Sequence, residues 1–150
     1  MKRVLITALI LAVASAGLAT VAQAVQPARK PFIHVSPSPR RLNLGTAATP
    51  GFYSVANALT LNVDSNCLHG PIMISATDLK RRQGGSIPPD RISVRSSATM
   101  GFVTMGKPVA VSKPKSGSHR IVLDLQVETG FNDMAGRYHG TFTVTVMPPV

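Results

Sequence analysis

Cysteine, tryptophan and acidic residues are scarce in this 150-residue chain. Its single cysteine excludes a disulfide within the chain. Tryptophan is absent and aromatic residues make up only 5% of the sequence, which argues against the aromatic platforms that bind sugars or single-stranded nucleic acid. Six acidic residues oppose sixteen Lys and Arg, giving a formal net charge of +10. This balance predicts salt-dependent association with anionic polymers.

The motifs of the common enzyme classes are also missing. The sequence contains no G-x-S-x-G, no H-E-x-x-H and no Gly-rich phosphate loop. Asp124 and Glu128 could form a carboxylate pair, but four residues along a strand separate them by about 13 Å, too far for the usual glycosidase pair. We therefore predict that the protein is not an enzyme.

Metal-binding spacings are absent from the sequence as well. No two of the four histidines form H-x-x-x-H, and no Met-x-Met or His-x-Met cluster suggests a copper carrier. The sequence predicts neither a metal nor a cofactor. Cys67 leaves three alternatives open: a small buried thiol, an intermolecular disulfide, or half of a soft metal site with His69.

One long apolar run is present, and it lies at the N-terminus. Lys2 and Arg3 precede apolar residues 4–21, and Ala22-Gln23-Ala24 has the small-x-small pattern of a signal peptidase site. We predict a signal peptide over 1–24, cleaved before Val25, and export to the periplasm, cell surface or extracellular space. The alternative is an uncleaved anchor, because the run approaches the ~20 residues that span a bilayer. No later stretch is apolar enough to span a membrane.

The remaining chain, 25–150, has the length of one domain. Four prolines within 25–40 predict an N-terminal arm or an edge strand, because proline cannot donate a ladder hydrogen bond. We predict that residues 41–150 form the folded domain.

Alternation of apolar and polar residues dominates this domain, as in half-buried strands. The clearest alternating segments are 59–64, 72–77, 121–128 and 142–146. Shorter ones lie at 42–44, 92–94, 102–105 and 109–111. The short link 65–71 predicts that the first two clear segments form a hairpin. Together the segments predict an all-β fold, an antiparallel β-sandwich of about seven strands.

The end of the chain makes the prediction more specific. Asp133, Ala135, Gly136 and Tyr138 form D-x-A-G-x-Y directly before the last alternating segment. An acidic turn, a glycine and a tyrosine before a strand are typical of a tyrosine corner, whose phenol hydroxyl bonds to upstream backbone. We predict such a corner at Asp133, Gly136 and Tyr138, and hence an immunoglobulin-like sandwich.

The run AGRYHGTFTVTV resembles the closing strand of secreted bacterial immunoglobulin-like domains, including fimbrial subunits and the spore coat U group. Fimbrial subunits usually carry a disulfide and often end on an aromatic residue, whereas this chain has Cys67 alone and ends on Val150. The resemblance implies an exported immunoglobulin-like domain and assigns no functional residue.

A complete immunoglobulin-like domain has one more strand after the tyrosine corner strand, but only residues 147–150 follow here. The final strand should therefore have an unpaired edge, covered either by Phe32–Val35 of the same chain or by a neighbouring molecule. Because the arm offers only Ile33 and Val35 on one face, we favour coverage within the chain. The expected function is a secreted structural or adhesive surface module, such as a subunit of an envelope or fimbria-like assembly. The alternative is a periplasmic binding module for a glycan or a metal.

A cluster of basic residues is the basis for predicting a partner. Its members are Lys80, Arg81, Arg82, Arg91 and Arg95. They could form one positive end of the sandwich that contacts anionic envelope polymers, or they could be solvated loop charges. No aromatic residues are interleaved with them, so we predict no specific nucleic-acid binding.

Overall fold

The computed structural model describes residues 30–147, and in this range the chain is all-β with antiparallel pairing. The predicted fold class is confirmed at this level. The predicted signal peptide, 1–24, lies outside the described residues. The strands are β1 (Ile33–Ser38), β2 (Gly51–Ser65), β3 (Ile72–Ala76), β4 (Leu79–Arg81), β5 (Ser86–Ile87), β6 (Ile92–Arg95), β7 (Val103–Thr104), β8 (Val109–Ala110), β9 (His119–Thr129), β10 (Tyr138–His139) and β11 (Phe142–Val146).

The two longest strands, β2 and β9, form the centre of a five-stranded sheet with the order β1-β2-β9-β6-β7. Their sequences alternate, so one face of each is buried: Leu61 on β2 lies opposite Ile121 on β9, and Leu59 opposite Leu123. The register shifts between Val55 and Leu59, where a bulge interrupts the ladder. After this bulge the apolar rows of both strands face the core, whereas Tyr53 and Val55, before it on β2, are only half-buried and lie outside the core cluster.

Two smaller sheets have the orders β11-β3-β8 and β10-β4-β5. They are joined where Thr77 donates its backbone N–H to the Thr141 carbonyl oxygen at 2.9 Å and Thr141 donates to Thr77 Oγ1 at 2.9 Å. The segment that contains β3 and β4 therefore pairs continuously with the segment that contains β10 and β11. Gly140 lies at this junction, where a Cβ would approach Leu79 Cδ2 to 2.6 Å and the Asp78 carbonyl oxygen to 3.1 Å, so a larger residue would displace the Leu79 side chain.

Buried side chains from all three sheets form one hydrophobic core. Its fully buried members include Leu61, Leu123 and Leu125 from the five-stranded sheet and Ile72 and Ile74 from β3. Since each sheet buries one face against this shared core, the core fixes how the sheets lie against one another.

The predicted hairpin between residues 59–64 and 72–77 is wrong. β2 pairs with β1 and β9, whereas β3 pairs with β11 and β8 in another sheet. Both edges of β2 are already occupied, so the link 65–71 crosses between sheets. It is held at its middle by a hydrogen bond from the His69 N–H to the Lys115 carbonyl oxygen at 3.1 Å.

The prediction that Phe32–Val35 covers the final strand is also wrong. β1 pairs along β2, with Ile33 opposite Ser65, and is an edge strand of the five-stranded sheet. Asn66 clamps the start of β1: its Oδ1 accepts the Phe32 N–H at 2.8 Å, and its own N–H donates to the Phe32 carbonyl oxygen at 3.3 Å. These hydrogen bonds hold β1 against β2, so β1 does not pair with β11.

Within residues 30–147 no helix has the length and apolar character that crossing a membrane would require.

Candidate assembly edge

The final strand, β11, is the outermost strand of its sheet. It pairs with β3 on one side, with Val144 opposite Ile74 and Val146 opposite Ile72. On its other side no strand among residues 30–147 pairs with it. We call this side of β11 the open edge.

The hydrogen bonds around β3 show which backbone groups point toward the open edge. The Ile72 carbonyl oxygen accepts the Val111 N–H at 2.9 Å, so the backbone of Ile72 faces away from β11. Its partner Val146 is therefore in a non-hydrogen-bonded pair, and in an antiparallel ladder such pairs recur at every second residue. The N–H and C=O groups of Phe142, Val144 and Val146 consequently point outward along the open edge.

The side chains of the same three residues cover the core incompletely. Phe142, Val144 and Val146 pack against the core cluster yet are only half-buried. Ile33 and Val35 on β1, the edge strand of the larger sheet, show the same partial burial. Apolar surface on both edge strands thus remains in contact with solvent.

Tyr138 on β10 anchors the loop that precedes the open edge. It lies opposite Arg81 on β4, and its hydroxyl donates a 2.7 Å hydrogen bond to the Met134 carbonyl oxygen, four residues upstream. This is the direction of bonding that the tyrosine corner predicts. The bond closes the segment between Met134 and Tyr138 into a compact turn.

Arg81 holds the same loop from the side of β4. Its guanidinium donates to the carbonyl oxygens of Gly84 and Ala135, each at 2.7 Å. Gly136 permits this crossing, because a Cβ there would lie 2.5 Å from Arg81 Cδ. Arg81 therefore links two loops, and its charged guanidinium donates hydrogen bonds to backbone carbonyl oxygens.

Asp133 ties the start of the loop to the turn before β6. Its two carboxylate oxygens bind the Arg91 guanidinium, with Nη1 to Oδ1 at 3.0 Å, and Oδ2 accepts the Gly130 N–H at 2.6 Å. The side chain of Asp133 is only 14% exposed. Arg91, followed by the backbone hydrogen bond from Gly130, holds the pKa of this carboxyl below its usual range.

The predicted basic cluster is not one free patch. Arg91 pairs with Asp133, and Arg81 binds loop carbonyls. Arg95 donates to Asp124 Oδ2 from Nε at 2.9 Å and from Nη2 at 2.7 Å, and its guanidinium lies 4.7 Å from the centre of the Phe102 ring. Lys80 and Arg82 are the two members for which the described chain shows no side-chain hydrogen bond or ion pair, and both are exposed.

Cys67 lies in the link between β2 and β3. Its thiol is half-buried and free, and Sγ donates to the Phe32 carbonyl oxygen at 3.4 Å. An intermolecular disulfide at Cys67 stays a prediction.

Two histidines that are fifty positions apart in sequence come together in the fold. The rings of His69 and His119 have their centroids 5.5 Å apart and their planes within 7° of parallel. Their sequence separation gives no spacing signal, so only the fold reveals the contact. In the described part of the chain no group of three or more His, Cys, Asp or Glu side chains is placed to hold a metal ion.

Comparison with protein-family models and with curated proteins finds no match to this chain.

Replacing Tyr138 by phenylalanine should lower the free energy of unfolding by about 1 kcal/mol, because the hydroxyl that donates to the Met134 carbonyl oxygen is lost while the ring stays. Urea unfolding of the two proteins measures the difference. A melting temperature and urea midpoint identical to those of the unchanged protein would contradict a stabilising corner.

Proposed function

We propose that this chain is an exported immunoglobulin-like domain that acts as a structural or adhesive surface module and associates through the open edge of β11. Its catalytic inactivity is part of the proposal. The observation that carries it is the combination, on one strand, of outward-pointing backbone groups and half-buried apolar side chains.

The strand order supports the immunoglobulin-like assignment. In such folds one sheet has the order A-B-E-D and the other contains C, F and G. The order β1-β2-β9-β6 corresponds to A-B-E-D, and the β3–β11 pair corresponds to C and F. Tyr138, just before β11, corresponds to the tyrosine near the start of strand F. On this correspondence the strand that the described chain lacks is G, whose place is the open edge.

An edge of this kind favours the addition of a strand from another molecule. Free N–H and C=O groups supply main-chain affinity, and pockets for alternate side chains supply specificity. The fitting partner is an extended segment with alternating apolar residues, which would cover Phe142, Val144 and Val146 and complete the core. A second copy or another subunit of the same assembly could supply it.

Surface charge supports a second contact, with anionic envelope polymers. The formal net charge of +10 becomes +8 once Lys2 and Arg3 leave with the signal peptide, and Lys80 on β4 and Arg82 directly after it are exposed. Such attraction is long-ranged and falls with ionic strength. It would hold assembled modules near a polyanionic surface.

A second candidate function is a binding module for a small glycan. A groove of about 390 Å³ lies on the outer face of the five-stranded sheet. Among its lining residues are Arg95 and Asp124, which bind each other, and Arg120 and Val122. Their mixture of charged, polar and apolar groups suits a sugar, although no aromatic platform lines the groove.

The test of assembly is the light-scattering mass of the chain 25–150 on a sizing column, with and without reductant. We expect oligomers that persist in reductant. Val144→Lys should reduce them to monomer, because it places a charge among the half-buried apolar side chains that an added strand would cover. Thr143→Lys is the matched control: it adds the same charge to the exposed face of the same strand and should leave the oligomers intact.

Circular dichroism must show that both variants keep the β-structure of the unchanged chain. If the unchanged chain is monomeric at all concentrations, both alone and mixed with the envelope fraction of the cells that produce it, the proposal is overturned and the glycan-binding alternative is favoured. Oligomers lost only on reduction would instead assign association to Cys67.

A further inference from the structure

We infer that the groove on the outer face of the five-stranded sheet binds an acidic saccharide, a sugar unit that carries a carboxylate, with Arg120 as the residue that binds its charge. The inference gives a ligand class to the second candidate function and rests on that function, but it does not depend on the open edge. Arg120, Val122 and Asp124 alternate with buried residues along β9, so their side chains face away from the core and line the groove.

A fixed pair of opposite charges forms part of the groove. Asp124 Oδ2 accepts hydrogen bonds from Arg95 Nε at 2.9 Å and Nη2 at 2.7 Å, and Asp124 Oδ1 accepts the backbone N–H of Asn57 at 2.7 Å. The Asn57 N–H, followed by Arg95, holds the pKa of the Asp124 carboxyl below its usual range, so it is ionised at neutral pH. Arg95 therefore already neutralises the one carboxylate of the groove.

Arg120 supplies the charge that remains without a partner. The two ion pairs of the described chain involve Arg91 and Arg95, and Arg120 takes part in neither. Two guanidinium groups against one carboxylate leave the groove with one net positive charge. Because a guanidinium binds a carboxylate through two parallel N–H···O bonds, an anionic group on the ligand is the partner that fits Arg120.

The bulge in β2 places Asn57 in the same groove. Asn57 has a φ of 52°, and among residues 30–147 every other residue with a positive φ is a glycine. Asparagine is one of the few side chains that tolerate this left-handed conformation. Its backbone N–H binds Asp124, whereas its side-chain amide makes no hydrogen bond within the described chain. The amide therefore offers two donors and an acceptor to a ligand.

The other lining groups suit a sugar ring. The Ser97 hydroxyl also forms no hydrogen bond within residues 30–147, and it can donate to or accept from a sugar hydroxyl. Val122 is 41% exposed and gives the groove an apolar surface for the C–H face of a ring. A nucleotide would require an aromatic side chain to stack on its base, and no aromatic residue of the described chain lines the groove.

The test titrates the chain 25–150 with tri-galacturonic acid and, separately, with maltotriose, a neutral sugar of the same length, and follows ¹H–¹⁵N spectra. The backbone amide signals of Asn57, Ser97 and residues 120–124 should shift with the acidic trisaccharide, which should bind at least about tenfold more tightly than maltotriose. Acetate at the same carboxylate concentration should not reproduce these shifts. Equal affinity for the two trisaccharides, or equal shifts with acetate, would overturn the inference and leave the second candidate function standing. Shifts with neither trisaccharide would overturn both.

Variants test which side chains bind the ligand. Arg120→Gln should weaken the binding of tri-galacturonic acid at least about tenfold. Arg41→Gln is the matched control, because it removes the same charge at an exposed position outside the groove, and it should bind as the parent does. Asn57→Gly keeps a residue that accepts the left-handed backbone and removes only the amide, so it should also weaken binding.

Equal weakening by Arg120→Gln and Arg41→Gln would assign the attraction to net charge and overturn the inference. The titration is repeated with the Val144→Lys chain, which keeps the result independent of assembly through β11. We expect the same affinity there, because Val144 is not among the residues that line the groove. Loss of binding in that chain, with its β-structure intact by circular dichroism, would also overturn the inference.

Discussion

Replacing Leu61 by alanine should lower the free energy of unfolding by about 3 kcal/mol, within the range of about 2–5 kcal/mol for buried leucines. Leu61 is completely buried at the centre of β2, opposite Ile121 on β9. It lies where the apolar faces of the sheets meet, so its removal leaves a cavity that rigid strands on both sides cannot close. Urea unfolding followed by circular dichroism measures the loss.

Leu68→Ala is the matched control, because Leu68 is 50% exposed in the link between β2 and β3. The same atoms are removed there without a cavity, and we expect a change below about 1 kcal/mol. Equal losses in the two variants would show that Leu61 is not in a closed core. A changed urea dependence would point to an altered unfolded state instead.

Replacing Asp133 by asparagine should cost about 1–2 kcal/mol near neutral pH, between the values for exposed and fully buried ion pairs. Asparagine can still accept the Gly130 N–H, but it cannot neutralise the Arg91 guanidinium, which is 27% exposed. The cost is therefore mainly that of leaving a partly buried cation without its carboxylate.

The dependence on pH distinguishes this cause from a loss of packing. Because the pKa of Asp133 is lowered in the folded protein, its contribution is complete above the ordinary carboxyl pKa of about 4 and is lost as pH falls through the lowered folded value. The stability difference between the parent and Asp133→Asn should thus shrink below about pH 4.

Asp90→Asn serves as the control for the removal of a carboxylate. Asp90 is exposed, and the described structure shows no ion pair or side-chain hydrogen bond for it. We expect its free energy of unfolding near neutral pH to match that of the parent. A gap between parent and Asp133→Asn that stays constant down to about pH 2 would assign the loss to packing rather than to charge.

Local patterns in the sequence predicted the longer strands, because alternation depends only on which face of a strand is buried. The predicted segment 42–44 forms no strand, and 59–64 covers only the second part of β2. Residues 121–128 and 142–146 coincide closely with β9 and β11. Partner choice was not predictable in this way. The short link 65–71 suggested a hairpin, but β2 takes β9, far away in sequence, since that pairing buries a longer apolar row.

The candidate edge was partly predictable for the same reason. The motif around Tyr138 is local, and its hydroxyl reaches back only four residues. The pairs Arg91–Asp133 and Arg95–Asp124 depend on register between distant strands, so the sequence showed them only as separate charges. The contact between His69 and His119 likewise required the fold.

The pairing of β2 with β9 determines when this protein can fold. β2 ends at Ser65, and its central partner begins only at His119, so the middle of the larger sheet requires closure of a loop of more than fifty residues. Such non-local topologies fold in milliseconds to seconds, slower than helical bundles of similar size. During synthesis, a chain that has emerged only as far as β8 exposes the apolar row of β2 and one free strand edge. Such an intermediate is prone to aggregate, so other factors that bind the nascent chain must protect it until β9 is made.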